Sequence, residues 1–225
     1  MQRIWKGIGL PAYNATASDK TAVCHDRFVL SHDNASKTPD WVVEVLTKAK
    51  LTNKLPRPTF EFSPDPCIPP NGEPDPGDYA GTADKLEIGH MAPSEDFNNS
   101  GINMSDTFVF SNAVPQGGAT FNQAIWRSLE LQVRKAAIAR NKIYVITGPV
   151  RGDGVNHVIN IAMADNACGG ALELDAFNTK IVCKAVNQHT ATTCATGVVA
   201  PVELYKIAYD PQKNRGFCLP DGEPQ

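Results

Sequence analysis

The sequence predicts an α+β fold: a mixed, mostly antiparallel central sheet with flanking helices. Three observations predict it. Within the first fifty residues, β-branched runs are separated by polar turns, as sheet-forming segments are. Asn122 to Ala139 repeats Ile125, Leu129, Val133 and Ala136 at intervals of three or four, the period of an amphipathic helix. Directly after it, the apolar run Lys142 to Thr147 stops at Gly148-Pro149, as a buried strand does.

Residues 1–20, with Gly7, Gly9 and Pro11 and little periodicity, read as an extended arm. The run from Ala22 to His32 is strand-like, with Phe28 and Leu30 on one face and Val29 on the other. A turn at Asp33-Asn34-Ala35-Ser36 leads to Trp41 to Leu46, a second strand that pairs with the first. Between Leu55 and Gly81 eight residues are proline and three glycine, so no regular ladder or helix can persist there and the segment is a long loop. Asp106 to Asn112 alternates and is expected to be a strand, broken by Ala113 to Gly118. Asn122, ahead of the apolar stripe, has the character of a helix N-cap. Further strands are expected over Val158 to Met163, Lys180 to Ala185, Gly197 to Val202 and Leu204 to Tyr209, with Leu172 to Phe177 either a short helix or a strand.

At 225 residues, with 42% hydrophobic and 20% charged, the chain suits one globular domain spanning residues 1–225. Its formal charge of −3 argues against a protein that coats nucleic acid through overall charge, so a nucleic-acid substrate would require a local basic cleft. No apolar run is long enough for a membrane helix, and Met1 to Trp5 lacks a signal-peptide core. The expectation is a cytosolic protein or one whose leader has been removed. Cys24, Cys67, Cys168, Cys183, Cys194 and Cys218 form no Cys-x-x-Cys pair, which favours disulfides in an oxidising compartment over a thiolate zinc site. Six cysteines allow about 15 pairings, and the sequence does not choose among them.

Hydrolysis of a phosphodiester at neutral pH requires a base to take a proton from water and cationic charge to stabilise the departing oxygen and the transition state. The stretch Leu86-Glu87-Ile88-Gly89-His90-Met91-Ala92-Pro93 supplies an imidazole that titrates in the right range. The helical stretch from Asn122 supplies a carboxamide and, at Glu130, a carboxylate; oxygen donors in small number suit a hydrated Mg²⁺. Taken singly these residues are ordinary: a histidine is more often structural, and Glu130 on a helix is normally solvated.

Together they closely resemble the DNA/RNA non-specific endonuclease family, the ββα-metal nucleases. The resemblance runs over about residues 22 to 210, through Thr38-Pro39-Asp40-Trp41 with Glu44, Gly89-His90-Met91-Ala92-Pro93 with Asp96-Phe97, and Asn112-Ala113-Val114-Pro115-Gln116. It continues through Asn122-Gln123 with Trp126, Glu130 and Arg134, then Ile146-Thr147-Gly148-Pro149, and Tyr205-Lys206. It implies a ββα-metal finger, His90 as general base, Asn122 as ligand of a single Mg²⁺ (with Mn²⁺ or another divalent ion as substitute), and Glu130 acting on that ion through water. It further implies DNA and RNA as substrates, 5′-phosphate products, no membrane, a monomer or homodimer, and, through similarity to secreted bacterial members, a periplasmic or secreted location. On a continuous α-helix Asn122 and Glu130 lie about 80° and roughly 12 Å apart, so the helix start must bend if both are to serve one ion. The family pattern Asp-Arg-Gly-His is Glu87-Ile88-Gly89-His90 here, so the arginine that would stabilise the phosphate is missing at Ile88. Lys85, Arg127 and Arg134 are the candidate replacements and, with Glu87, the candidate substrate-binding residues; Arg134, one turn after Glu130, is a candidate catalytic residue that either orients that carboxylate or reaches substrate phosphate. The same departure leaves two further readings open: a catalytically impaired nucleic-acid-binding protein, and a phosphodiesterase acting on a smaller substrate.

Overall fold

The computed structural model describes residues 11, 19–52, 54–56, 58–79, 86–151, 181–186, 198–201, 203–212 and 215–216. The expected arm at 1–20 lies almost entirely outside them, as do the elements expected over Val158 to Met163 and Leu172 to Phe177, and Lys85.

Among the described residues a seven-stranded sheet forms the framework. Its strands are β1 (Lys20–Cys24), β2 (Phe28–Asp33), β3 (Thr38–Thr47), β6 (Lys142–Val150), β7 (Ile181–Val186), β8 (Glu203–Asp210) and β9 (Arg215–Gly216), in the order β1-β2-β3-β6-β8-β7 with β9 also on β8. A separate two-stranded ribbon pairs β4 (Leu86–His90) with β5 (Ala113–Gly117). Every ladder between these strands is antiparallel, and the isolated bridge Ser63–Val109 is parallel. The α-helices among the described residues are α1 (Lys48–Thr52), α2 (Gly101–Ser105) and α3 (Arg127–Arg140), the last preceded by a π-helical turn at Gly118–Trp126. No helix among the described residues is long and apolar enough to cross a membrane.

The period of two along β3 sorts its side chains between two cores. Trp41, Val43 and Val45 pack with Val29 and Tyr144 on one face. On the other, Leu46 joins Val133, Ala137, Ile143 and Ile207 beneath α3, and Val42 joins Phe28, Met91, Val114, Phe121 and Trp126 beneath the ribbon and the π turn. Burying side chains of this size stabilises by about 2–3 kcal/mol each. Val42 and Leu46 thus anchor the finger to the sheet. Between them sits Glu44, also turned inward and 1% exposed.

Four expectations are corrected. The run from Ala22 to His32 is a hairpin rather than one strand, because Cys24 pairs with Val29 and the polar Asp26-Arg27 tip turns the chain. Asp106 to Asn112 is not a strand. The Asn112 amide accepts from the Ala92 backbone at 2.9 Å and donates to Ala92 and Thr107 carbonyls at 3.0 Å each, and those bonds replace a ladder with a 3₁₀ turn at Phe110–Asn112. The following segment, read as a break, is β5; Pro115 is tolerated because the ribbon has only two strands. Cys24 and Cys67 are free and exposed, against the expected disulfides; burial pushes the Cys24 thiol up and the Asp65 carboxylate does the same to Cys67. The side chains of the other four cysteines lie outside the described residues.

The proline-rich segment is a tethered loop. Asp65 accepts from the Ser111 hydroxyl at 2.6 Å, from the Cys67 backbone at 2.9 Å, and pairs with His25 at 3.0 Å. Burial alone would raise this carboxyl; the bonds from His25 and Ser111 outweigh it and hold it down at about 2. The tether fixes Phe62, three residues earlier, against the finger.

Candidate active site

The ribbon places His90 at the end of β4, one residue past a position that admits no side chain. A Cβ on Gly89 would fall 2.0 Å from the Gln116 Cδ, and Gln116 is fully buried across the ribbon. The His90 ring lies between two phenylalanines: Phe62 of the tethered loop at 4.7 Å and Phe108 edge-on at 4.6 Å. Beyond it, the Met91 backbone donates to the Asn112 carbonyl at 2.9 Å, which together with the Asn112–Ala92 bonds fixes the chain leaving the histidine.

Asn122 sits in the π turn, not at a helix N-cap. Its amide nitrogen donates to Glu87 at 2.8 Å, and the Gln123 amide donates to the other oxygen of the same carboxylate. A carboxylate only accepts, so Glu87 orients the Asn122 amide and leaves its oxygen available as a ligand. Bonding of the i→i+5 type sweeps less than the α-helical angle per residue. Asn122 and Glu130, offset on a continuous α-helix, therefore return to one face. Both line a cleft of about 400 Å³ shared with Phe62, Ile88, His90, Glu95 and Arg127.

Arg134 turns away from that cleft. It is 5% exposed and bonds Asp96 through Nε at 2.6 Å, Glu95 at 3.3 Å and Glu130 at 3.4 Å. Of the two roles expected for it, orienting Glu130 and reaching phosphate, this geometry serves the first. Arg127 is exposed on the cleft wall.

Sequence reasoning gave no role to two residues beneath the cleft. Lys206 is 2% exposed; its ammonium donates to the Met91 carbonyl at 3.2 Å and the Thr147 hydroxyl at 2.9 Å, and lies 4.9 Å over the Trp126 ring. Neither Glu44 oxygen has a hydrogen-bond partner among the described residues. Burial, reinforced by Asp96, pushes the Glu44 carboxyl well above the usual range. The available signal was a lone acid inside Val42-Val43-Glu44-Val45-Leu46, where the strand period turns it toward the finger.

Burial likewise raises Glu130, to about 7, against 4.5 for a free carboxyl. Between those values the native state binds more protons than the unfolded chain, so this contribution to stability is fully present below 4.5 and is lost as pH rises through 7. Without divalent cation, the urea midpoint of the wild type should fall from pH 5 to pH 7.5. Glu130→Gln should fall less, keeping the part due to Glu44, Glu73 and Asp96, which burial also raises, set against the opposite slope of His32, which burial lowers. Equal slopes for the two proteins would refute this assignment.

Residues 9–223 match the sequence model of the DNA/RNA non-specific endonucleases. The chain is 35% identical over 138 residues to the human mitochondrial nuclease EXOG, covering 59% of this chain and 37% of that protein. Against mitochondrial endonuclease G of Caenorhabditis elegans the identity is 32% over 149 residues, 63% of this chain and 48% of the relative. Nuclease C1 of Cunninghamella echinulata var. echinulata is 32% identical over 127 residues, 56% of this chain and 50% of that protein. The chain thus spans about a third to a half of these curated relatives. The fold is similar to that in the crystal structure of the EndoG/EndoGI complex, with a TM-score of 0.63 and 24% identity over 89% of this chain and 69% of that one.

Proposed function

The chain belongs to the DNA/RNA non-specific endonuclease family, and from that premise we propose that it is a Mg²⁺-dependent endonuclease that hydrolyses DNA and RNA to 5′-phosphate products. The observation that carries this reading is the shared cleft, where His90, Asn122 and Glu130 meet although 40 positions separate the first from the last.

In this reading His90 takes the proton from the attacking water. Its imidazole is packed by Phe62 and Phe108, so its ring plane is set before substrate arrives, which removes a reorganisation step from the reaction. Asn122 and Glu130 would hold the metal, Asn122 directly and Glu130 through water. They fit a hydrated Mg²⁺: Glu87 presents the amide oxygen, and no group of three or more His, Cys, Asp or Glu among the described residues forms a closed cage. Bound there, the ion supplies positive charge for the departing 3′ oxygen. Glu87 acts on the amide rather than on substrate, and Arg134 holds Glu130 from behind.

Plasmid DNA and a structured RNA should both be cut in Mg²⁺, and excess chelator should stop both reactions. An absence of cleavage in Mg²⁺, Mn²⁺, Co²⁺ and Ca²⁺ alike would sink the proposal. Ile88 on the cleft wall motivates a second reading, a nuclease-derived binding protein. It predicts salt-dependent DNA binding without turnover, unchanged by His90→Ala. A phosphodiesterase for smaller substrates would instead turn over a small diester and leave DNA and RNA intact.

A further inference from the structure

The geometry points to Arg127, the first residue of α3, as the catalytic residue that stabilises the charge of the pentavalent phosphate, doing the work that Ile88 on β4 cannot do. This rests on the nuclease reading above.

A phosphoryl group passing through its transition state needs a cation that is free to move charge toward it and is not already neutralised. Arg134 does not qualify. All three of its outer nitrogens face carboxylates, and Asp96, its shortest contact, is buried with it. Lys206 does not qualify either, because it is sealed under Trp126 with its protons on Met91 and Thr147. Arg127 is exposed, lines the same cleft as His90, Asn122 and Ile88, and forms no ion pair with any described residue. It is the one cation among the described residues lining that cleft, against the acids Glu95 and Glu130.

The backbone explains why it stands there. On a continuous α-helix, residues five apart point to well-separated faces. The π-helical turn at Gly118–Trp126 closes a wider loop, and residues five apart share a face. Arg127 is five residues after Asn122 and three before Glu130, at the junction where the π turn that presents Asn122 passes into α3, and all three line the same cleft. Its planar fork of donors matches two phosphate oxygens. Ile88, on the facing ribbon, contributes only an apolar wall.

The test measures kcat and KM on a short DNA oligonucleotide in Mg²⁺ for wild type, Arg127→Ala, Arg127→Lys, Lys85→Ala, Ile88→Arg and the double variant Ile88→Arg/Arg127→Ala. Arg127→Ala should lose about 100- to 1000-fold in kcat with KM within about threefold, the pattern of a contact made only in the transition state. Ile88→Arg should restore at least about tenfold of that loss in the double variant, since one charged fork replaces another across the cleft. The inference is overturned if Arg127→Ala keeps kcat within threefold of wild type, if the loss lies in KM, if Lys85→Ala carries the loss instead, or if a folded double variant shows no recovery. Should the double variant fail to fold, Arg127→Lys decides: kcat at least tenfold above the alanine variant supports the role, and equality with it overturns it. A wild type inactive in every divalent ion sinks the nuclease reading and this inference together; an active wild type with an unaffected Arg127→Ala sinks this inference alone.

Discussion

His90→Ala should lower cleavage of DNA and RNA by about 10²- to 10⁴-fold, the range removed with a general base. The loss should fall on kcat, because the imidazole moves a proton and does not grip the polymer. Two features make the result diagnostic. Among the cleft's described lining residues His90 is the one imidazole; the remaining titratable groups are Glu95, Arg127 and Glu130, and Glu130 is held from behind by Arg134. The ring also leaves a slot bounded by Phe62 and Phe108, so added imidazole should return part of the rate to the alanine variant and none to wild type. Steady-state rates with a thermal unfolding control measure this. Activity within tenfold of wild type would exclude His90 as the base.

Arg134→Ala has the larger consequence for stability. It leaves Asp96, whose side chain is 1% exposed, as a buried carboxylate without its cation, and withdraws the same charge from Glu95 and Glu130. Breaking a buried pair from one side costs about 3–5 kcal/mol. For a chain of this size that is a fall of roughly 10 °C in unfolding temperature. Arg134→Lys keeps the charge without the fork and should recover only part of it. The double variant Arg134→Met/Asp96→Asn should lose less than the two single changes summed, because no charge is left stranded. Urea unfolding decides, and a loss under about 1 kcal/mol for Arg134→Ala would show that the pair contributes little.

The strands and the site were legible in the sequence to different depths, and for physical reasons. β3, β6 and β8 lie inside the sheet and are mostly apolar, so their pattern survives without tertiary information even with Glu44 and Lys206 within them. The turn before Phe110 could not be read that way. Phe108 and Phe110 alternate like a strand, and only the Asn112 side chain, bonded to Ala92 twenty residues earlier, settles the backbone otherwise. His90 and Asn122, ordinary singly, stood out through the motifs that resemble the family's. Glu87 as the clamp on Asn122 did not, since the contact spans 35 positions. Arg134 illustrates the same limit: its near partner Glu130 is one helical turn away and readable, whereas its strongest partner, Asp96, is 38 positions distant. An even number of cysteines says nothing about which of them lie within bonding distance, and Cys24 and Cys67 are unpaired thiols.

The π-helical turn leaves this chain with an unusual sensitivity to residue count. A turn of that kind is an α-helix holding one residue more than it needs. Deleting a single residue between Gly118 and Phe121 would let the segment relax to the ordinary pitch without touching any functional side chain. The oxygen of Asn122 would then rotate relative to Glu130 and Arg127, which ride on α3 and are fixed by its packing against the sheet. In evolutionary terms the locus that sets the geometry of this cleft is a length, not a side chain. Gain or loss of one residue there should disturb the cleft more than a change of residue type at an exposed position such as Ala124.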